Sequence, residues 1–300
     1  MKQQIYISIF TALCLIFTSC EKEDEQAVNW KYDFSGCVPA TSSSALEVVT
    51  FNIEQFRNSN YHDYKMSERL PYIASLIGQL DADVIALQEM GSEYWVSRLA
   101  DELPGWESVF TPESSGSLSL AYLYKTSEIE VVEEETEAIL DDWYAFPRSP
   151  FKIKVKHHGS GLEVFLINNH LKCCSGYENE GRRRDASEQL RDYIDTNLND
   201  ERVIVLGDLN DDISDVYSYD NVFWNFVEDA NNYRFADIEI ALGSSANFSY
   251  PGWPSHIDHI LITNELFDNH QSSTTIKPSA CQKDFLKKGS DHRPVMAVFK

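Results

Sequence analysis

The sequence predicts an α/β fold built around a mixed β-sheet or two stacked sheets. Strand-like and helical apolar patterns interleave along the chain, yet several successive strands have no helix between them. Because parallel neighbours need a crossover connection, this arrangement disfavours a purely parallel sheet. The chain has 300 residues, of which 43% are hydrophobic, enough for one large domain or two small ones.

The clearest single strand is the apolar segment 203–206, which leads into Gly207 and an acidic, amide-rich turn. A short, continuous apolar run is typical of a strand buried on both faces. Gly207 permits a close backbone approach. Asp208 and Asn210 follow the end of the strand, where open α/β folds place ligands. These side chains either align a water molecule and contact a metal, or form an ordinary polar turn.

The other elements follow from periodicity. Apolar runs predict strands over 46–53, 83–89, 118–125, 129–134, 151–156, 162–167, 257–263 and 295–299. Helical spacing predicts helices over 67–80, 94–103, 182–198 and near 223–230, with Ser67 as a cap of the first. The strand over 129–134 continues into acidic residues and is predicted to be an exposed edge.

Polar residues appear at the ends of predicted strands six separate times. Each occurrence alone has an ordinary explanation as a turn residue, a helix cap or a buried histidine. The six stretches are 50–53, 88–89, 168–171, 207–210, 257–260 and 290–295. Because chance would have to succeed repeatedly, their common order indicates a polar site where strand ends converge.

This order of motifs resembles the endonuclease/exonuclease/phosphatase superfamily, the DNase I-like phosphohydrolases. The motifs that carry the resemblance include Gln88-Glu89, Gly207-Asp208-Leu209-Asn210 and Ser290-Asp291-His292. It covers about residues 46–300 and implies a four-layered α/β/β/α sandwich with the site at one end of two sheets. It also implies a divalent-metal-dependent hydrolase of phosphate esters.

The resemblance implies a metal site and a water-activating pair. Glu89 would be the main metal ligand, with Asn52 and Asp291 beside it. Asp208 would align or deprotonate the attacking water, and Asn210 would orient the water or the phosphate. Hard oxygen ligands suit Mg²⁺ or Mn²⁺. Zinc is disfavoured because no His/Cys cluster has ligand spacing.

The resemblance also implies contacts to the phosphate. His170 and His292 would contact its oxygens, and Asp258 would keep His292 oriented and charged. Asn168, two residues before His170, would also face the phosphate. Arg148 is placed where many members carry an arginine; a structural salt bridge is the alternative.

Two departures from the superfamily pattern limit the subgroup to which this chain can be similar. The Asn-x-His motif at 168–170 is usually lacking in AP-endonuclease-like members, which disfavours the DNA-repair subgroup. Secreted DNase I-like members carry a Glu on the strand over 118–125, whereas this chain has Leu118, Ser119 and Leu120. The pattern is closer to broad bacterial and phospholipase-like members.

The net charge of the chain limits the class of substrate that we expect. The formal net charge is −23, which disfavours a protein that wraps nucleic acid. We therefore expect a phosphodiesterase for a small or headgroup-type substrate. The alternatives are a secreted nuclease for DNA or RNA, and an inactive surface-binding lipoprotein. The run Arg182-Arg183-Arg184 either contacts phosphate or is a solvated helix start, and Tyr250 and Trp253 either stack on substrate or pack within a loop.

The N-terminus has the features of an export signal over residues 1–19. Residues 16–20 resemble a bacterial lipobox, so Cys20 would be lipidated; an ordinary signal peptide is the alternative. We expect a lipid-anchored linker over 20–45, a catalytic domain over 46–300, and attachment to the outer membrane of a Gram-negative bacterium, facing the periplasm or the surface. No obligate protein partner is indicated.

Four cysteines remain after Cys14 and Cys20, namely Cys37, Cys173, Cys174 and Cys281. An even number in an exported chain permits disulfides, with three pairings open. The adjacent pair after the His170 motif either forms disulfides that stiffen its loop or consists of buried thiols; we favour a bridge.

Overall fold

The computed structural model describes residues 28–58, 62–111, 118–215 and 217–300. The chain divides into two units, residues 1–30 and 31–300. The predicted signal peptide and Cys20 lie outside the described residues. Among the described residues, no helix combines the length and apolar character that crossing a bilayer requires.

The described residues of the unit 31–300 form twelve strands and six α-helices. The strands are β1 (Leu46–Phe56), β2 (Val84–Met90), β3 (Trp106–Phe110), β4 (Ser119–Lys125), β5 (Ile129–Ala138), β6 (Phe151–His157), β7 (Glu163–His170), β8 (Val203–Asp208), β9 (Tyr233–Phe235), β10 (Asp258–Thr263), β11 (His270–Thr275) and β12 (Val295–Phe299). The helices are α1 (Met66–Leu80), α2 (Glu93–Asp101), α3 (Tyr177–Asn197), α4 (Trp224–Val227), α5 (Ile238–Ala241) and α6 (Phe285–Lys288).

The strands form two mixed six-stranded sheets. The first has the order β11-β12-β1-β2-β4-β3 and the second the order β5-β6-β7-β8-β10-β9. Each sheet contains one parallel pair, β1 with β2 and β7 with β8, among the strand pairs of the described residues. Both parallel pairs lie at the centre of their sheets, so their ends can meet at one edge of the molecule.

The sheets pack face to face and helices cover their outer faces. Leu46 and Val48 of β1 share one apolar core with Leu166 of β7 and Ile204 of β8. A second core joins the other face of β7 and β8 to α3. On the opposite side, Phe285 of α6 stacks on Phe51 of β1 and on Tyr72 of α1. The predicted four-layered α/β/β/α sandwich is confirmed.

The predicted strands are present, and β5 lies at a sheet edge as expected. Three strands were not predicted, β3, β9 and β11, and each also lies at an edge. The helix α3 begins at Tyr177 instead of residue 182. Ser67 does not cap α1, because the helix begins at Met66 and its N-cap is Lys65.

Residues 31–45, assigned from sequence to a linker, pack on the folded unit. Phe34 is fully buried and its ring contacts the Tyr72 ring edge-on, with centroids 5.3 Å apart. A disulfide joins Cys37 to Cys281 across 244 residues. This bridge decides which of the three possible pairings involves Cys37. Cys173 and Cys174 are free and exposed, so the bridge that we favoured for this adjacent pair is not present.

Candidate active site

Three predicted site residues lie side by side at one end of the second sheet. In the strand register, Asp208 pairs with His170 on one side and with Asp258 on the other. In the first sheet, Asn52 pairs with Gln88, the residue before Glu89. Parallel neighbours therefore deliver polar side chains to one edge, as the sequence predicts.

Asn52 joins the two sheets at this edge. Its amide nitrogen Nδ2 donates to Glu89 Oε1 at 3.3 Å and to Asp208 Oδ2 at 2.9 Å. Its amide oxygen accepts from the backbone N–H of Glu54 at 3.0 Å. One buried amide thus holds a carboxylate from each sheet in a fixed relation.

The backbone around these residues is unusual. Glu54, Gln55, Glu89 and Asn210 have positive φ angles of 44°, 45°, 62° and 57°, a region that non-glycine residues seldom adopt. The pairing of β1 with β2 shifts register after Asn52. Such irregularities re-aim side chains and are concentrated near functional sites.

Gly207 has the close approach that the sequence suggests. Its φ is +149°, and a Cβ atom there would lie 2.0 Å from the carbonyl oxygen of Asn169. Any other residue would push β8 away from β7. Gly207 therefore keeps Asp208 beside His170.

A buried arginine that sequence reasoning missed supports the loop after Asn52. Arg69 of α1 is fully buried, and burial lowers its pKa only to about 10, so it stays charged. It donates to the backbone carbonyls of Ile53, Glu54, Gln55, Lys288 and Gly289. The available signal was its helical spacing with the apolar Ile73 and Leu76.

His292 is held as a cation between two carboxylates. Its Nδ1 donates to Asp258 Oδ2 at 2.8 Å, and its Nε2 lies 3.8 Å from Asp208 Oδ2. Burial alone would lower its pKa, but Asp258 and Asp208 outweigh burial and raise the pKa to about 10. His292 is therefore a strong hydrogen-bond donor at neutral pH.

His170 differs from His292 in its charge. Burial, together with the positive charges of Arg148 and His292, holds its pKa well below the ordinary value. Its Nε2 lies 3.6 Å from Asp208 Oδ2, and its buried Nδ1 has no hydrogen-bond partner in the described part of the chain. His170 is thus a neutral imidazole with one ring nitrogen unengaged.

Asp208 lies at the centre of the cluster. Burial raises the pKa of its carboxyl to about 7, with His292 opposing and Asp258 adding to the rise. The backbone N–H of Asn210 donates to Asp208 Oδ1 at 3.1 Å, and Asn210 Nδ2 donates to the carbonyl of Leu171 at 3.3 Å. A carboxyl with this pKa can accept a proton from water at neutral pH.

The oxygen donors around Glu89 fit a divalent cation. Asp291 N–H donates to Glu54 Oε2 at 3.2 Å, which brings these two carboxylates together. Burial and the charges of Asp291 and Glu89 raise the pKa of Glu54 to about 7, with the charge of Arg69 opposing them. Buried Asp258 Oδ1 has no hydrogen-bond partner among the described residues. Hard carboxylate oxygens that lie close together are the kind of donor set that Mg²⁺ or Mn²⁺ takes; Glu54 was not predicted from sequence.

Asn168 does not reach this cluster. Its Nδ2 donates to the carbonyls of Leu87 and Ala121, both at 3.0 Å, and its Oδ1 accepts from Gln88 Nε2 at 2.8 Å. The side chain is fully buried between the sheets. This placement differs from the predicted phosphate contact and gives Asn168 the role of joining the sheets.

Arg148 faces the cluster. Its Nε donates to the carbonyl of Leu118 at 2.7 Å, and within the described ranges it makes no ion pair shorter than 4.0 Å. Its positive charge acts on Glu89 and Asp208, while burial lowers its own pKa. The guanidinium is therefore placed to meet an anion.

The arginine run 182–184 has a structural role. The three side chains donate to backbone carbonyls of three separate loops: Arg182 to residues 143–144, Arg183 to 172 and 174, and Arg184 to 218, 219 and 221. Arg183 also binds the Asp211 carboxylate at 2.8 Å. These guanidinium groups order loops at the end of the second sheet, which is neither of the two predicted alternatives.

The 249–254 loop forms part of the site wall. The Tyr250 ring lies 4.9 Å from the His292 ring, at an interplanar angle of 47°. A bridge between Tyr250 and Ser255 closes the turn, and Trp253 within it is 78% exposed. Tyr250 therefore packs on a site residue, while Trp253 remains open to solvent.

Most of the chain matches a known protein family. Residues 49–292 match the model of the Endonuclease/Exonuclease/phosphatase family. No curated protein sequence matches significantly. Members of the family generally use divalent metals.

Solved structures share the fold. Humanized TDP2 of D. rerio aligns with a TM-score of 0.64 and 16% identity, covering 86% of this chain and 99% of its own. A mannosyl-6-phosphatase of Bacteroides thetaiotaomicron aligns with a TM-score of 0.61 and 15% identity, covering 85% of this chain and 100% of its own. The human nocturnin catalytic domain aligns with a TM-score of 0.59 and 19% identity, covering 86% and 94%. With its family match over most of its length, the chain belongs to the Endonuclease/Exonuclease/phosphatase family.

Proposed function

We propose that the protein is a divalent-metal-dependent phosphodiesterase that acts on a small or headgroup-type phosphoester. The observation that carries this proposal is the hydrogen-bonded link from Glu89 through Asn52 to Asp208. It sets a metal-binding carboxylate from one sheet beside a proton-accepting carboxyl from the other. Two histidines in different charge states flank that carboxyl.

Phosphate ester hydrolysis demands positioning and charge neutralisation more than covalent chemistry. In the proposed mechanism Asp208 accepts a proton from the attacking water, and Asn210 holds the turn that orients Asp208. Protonated His292 donates to a phosphate oxygen from Nε2, since Asp258 engages its Nδ1. Neutral His170 donates to a second oxygen, and Arg148 adds positive charge on the same side.

Glu89 and Asp291 would hold the metal, with Glu54 close enough to share it. When bound, Mg²⁺ or Mn²⁺ supplies positive charge at the phosphate oxygens. Asn52 keeps Glu89 in place through its Nδ2 donor. Loss of Glu89 would therefore weaken metal binding more than it weakens the fold.

Two features support a small substrate. The net charge of −23 gives a long polyanion little attraction. The arginines at 182–184, for which phosphate contact was one of two alternatives from sequence, are engaged by backbone carbonyls. Arg148 is left to meet one phosphate group, which suits a single phosphoester better than a duplex.

The test compares substrates on one preparation. Purified protein with Mn²⁺ is assayed against bis(p-nitrophenyl) phosphate, sphingomyelin, inositol phosphates, RNA and plasmid DNA at physiological salt. We expect turnover of at least one small or headgroup phosphoester and poor digestion of the plasmid. Efficient plasmid digestion without small-ester turnover would establish the nuclease alternative, and no turnover of any substrate would support the inactive surface-binding alternative.

We also propose that the protein is exported and anchored through lipidated Cys20. The Cys37–Cys281 disulfide supports export, because such bridges persist in oxidising compartments. Several acyl chains anchor firmly, since each buried CH₂ contributes roughly 0.8 kcal/mol. Cys20→Ser should move the protein from the membrane pellet to the soluble fraction, and a variant that stays in the pellet would contradict the proposal.

A further inference from the structure

We propose that Cys173 and Cys174 form a reversible modification site that closes to a vicinal disulfide when a low-molecular-weight disulfide oxidises it. Both thiols are exposed, and their Sγ atoms lie 2.8 Å apart. The pair follows His170 by only three residues. The site itself does not depend on the proposed function; only its effect on hydrolysis does.

The surroundings suit thiol–disulfide exchange. Lys172 Nζ donates to Cys173 Sγ at 3.6 Å, which places a positive charge beside one of the two sulfurs that take part in the exchange. Exposure lets the oxidant reach both sulfurs. The short separation of the two Sγ atoms lets one thiol attack the oxidant and the other resolve the mixed disulfide.

The reaction balances as an exchange. The Cys173 thiolate attacks one sulfur of the oxidant disulfide, which forms a mixed disulfide and releases one thiolate. The Cys174 thiolate then attacks Cys173 Sγ, which closes the ring and releases the second thiolate. Two electrons pass from the cysteine pair to the oxidant, and the two thiol protons end on the two released thiolates.

The ring would be easy to reduce again. Adjacent Cα atoms across a trans peptide are about 3.8 Å apart, whereas ordinary disulfides span about 4.4–6.8 Å. The strain makes the bond more reducible. The Cys37–Cys281 bridge, with a Cα separation of 6.0 Å, falls within the ordinary range. Mild reductant should therefore reduce the Cys173–Cys174 ring and leave the Cys37–Cys281 bridge intact.

Ring closure would act on the active site through Arg183. This buried side chain donates to the carbonyls of Lys172 and Cys174 at 2.7 and 2.9 Å, on either side of Cys173. It also binds Asp211, which follows the Asp208 turn. A shift of the cysteine loop is therefore transmitted to both His170 and Asp208. Since a displacement of about 1 Å can cost about 10²-fold in rate, we expect oxidation to lower kcat by up to that factor.

The test uses the full chain and the tryptic peptide 173–182, which contains both cysteines and no other. After treatment with oxidised glutathione and alkylation, we expect this peptide to carry no alkyl group and to lack two hydrogens. Low dithiothreitol should restore alkylation at 173–182 while the Cys37–Cys281 bridge persists. Cys174→Ser should stop at a glutathione adduct on Cys173.

Alkylation of both cysteines at every oxidant concentration, or two stable glutathione adducts without a ring, would overturn the proposal. The double variant Cys173→Ser/Cys174→Ser is the matched control, and its hydrolysis rate should not respond to oxidised glutathione. An oxidised wild type with an unchanged rate would remove the link to catalysis. If no phosphoester is turned over at all, the proposed function fails, while the peptide masses still decide the modification site.

Discussion

Two Asp/His clusters each include a residue of β10 in the second sheet, and only one of them has the properties expected of an active site. We name Asp208, Asp258 and His292, which belong to the proposed site, the catalytic cluster; Asp237, His256 and His259 form the sealed cluster. In each, one carboxylate or imidazole atom per residue lies within 4.8 Å of the others. Asp258 and His259 are consecutive on β10, so they point to opposite faces of the sheet.

In the sealed cluster, every side-chain hydrogen-bonding atom has a partner among the described residues. Asp237 Oδ2 accepts from His256 Nε2 and His259 Nδ1 at 2.9 and 2.6 Å, and Oδ1 accepts from the N–H of Ile260. His256 Nδ1 accepts from Ser249 N–H, and His259 Nε2 donates to the carbonyl of Asp211. All three side chains are fully buried. Each of the six polar side-chain atoms of this cluster therefore has a hydrogen-bond partner.

The catalytic cluster, by contrast, is incomplete. Asp258 Oδ1 and the neighbouring His170 Nδ1 are buried without a hydrogen-bond partner in the described residues. Asp208 keeps a raised pKa, whereas the charge of His259 and the hydrogen bonds from His256 and His259 together outweigh burial and lower the pKa of Asp237. The two clusters have the same residue types, so composition alone does not tell them apart. The buried atoms without a hydrogen-bond partner and the raised pKa of Asp208 distinguish the proposed site.

The sealed cluster still serves the catalytic one. His259 holds the backbone of Asp211, and Arg183 holds the Asp211 carboxylate. Asp211 follows directly on the Asp208–Asn210 turn. Two buried cations from different elements thus fix the turn that carries the proposed base.

The largest expected effect comes from Asp208→Asn. Loss of a general base commonly costs 10²–10⁴-fold, so we expect kcat to fall by about that factor. Because burial disfavours the charged carboxylate, the neutral amide should leave the free energy of unfolding unchanged or slightly higher. Steady-state kinetics and urea unfolding check both parts, and a variant with half the wild-type kcat would refute the assignment.

The matched change in the sealed cluster is Asp237→Asn. It leaves the His259 cation buried without its counter-charge, which typically costs about 3–5 kcal/mol. We expect a large loss in the free energy of unfolding, measured by urea titration. An Asp237→Asn protein as stable as wild type would show that the two clusters do not differ as described.

A smaller effect is expected at Asn168. Asn168→Ala removes three buried hydrogen bonds, but Gln88 Nε2 keeps its bond to the carbonyl of Ala86, so we expect a loss of about 1–3 kcal/mol. At a temperature where the variant is folded, kcat should stay within a few-fold of wild type. A loss of about 100-fold without loss of stability would instead support the phosphate contact predicted from sequence.

The smallest effect is a pH dependence of stability. Asp237 outweighs burial and raises the pKa of His259, so the stabilisation from this proton is complete below the unfolded value of about 6.5. It is lost as the pH rises from there through the folded pKa, by up to about 1.4 kcal/mol per pH unit. The difference in unfolding free energy between wild type and His259→Gln should therefore shrink from pH 6 to pH 9, and a constant difference would show that His259 is uncharged.

Sequence patterns located the centre of the fold better than its margins. The central strands have continuous apolar runs because both faces are buried, and these were predicted. The edge strands β3, β9 and β11 are short or polar, since one side lacks a neighbour, and they carry no comparable signal. Most candidate site residues were predicted because they lie at or next to the ends of strands with this clear apolar pattern.

The residues that were missed depend on distant contacts. Arg69 binds carbonyls from residues 53–55 and 288–289, and Asp237 meets His256 and His259 only after the chain has folded. Glu54 enters the site through the positive-φ backbone after Asn52. No local pattern encodes these meetings, and the same holds for Asn168, whose motif position suggested a phosphate contact.

The most direct test of the central claim is the Mn²⁺ dependence of phosphodiester hydrolysis in wild type, Glu89→Gln and Asp237→Asn, measured under conditions where all three are folded. We predict that Glu89→Gln needs far more Mn²⁺ for half-maximal rate, while Asp237→Asn keeps the wild-type metal curve. Identical metal curves for wild type and Glu89→Gln would contradict the assignment of Glu89 as the main metal ligand. A shifted metal curve for Asp237→Asn alone would contradict it as well.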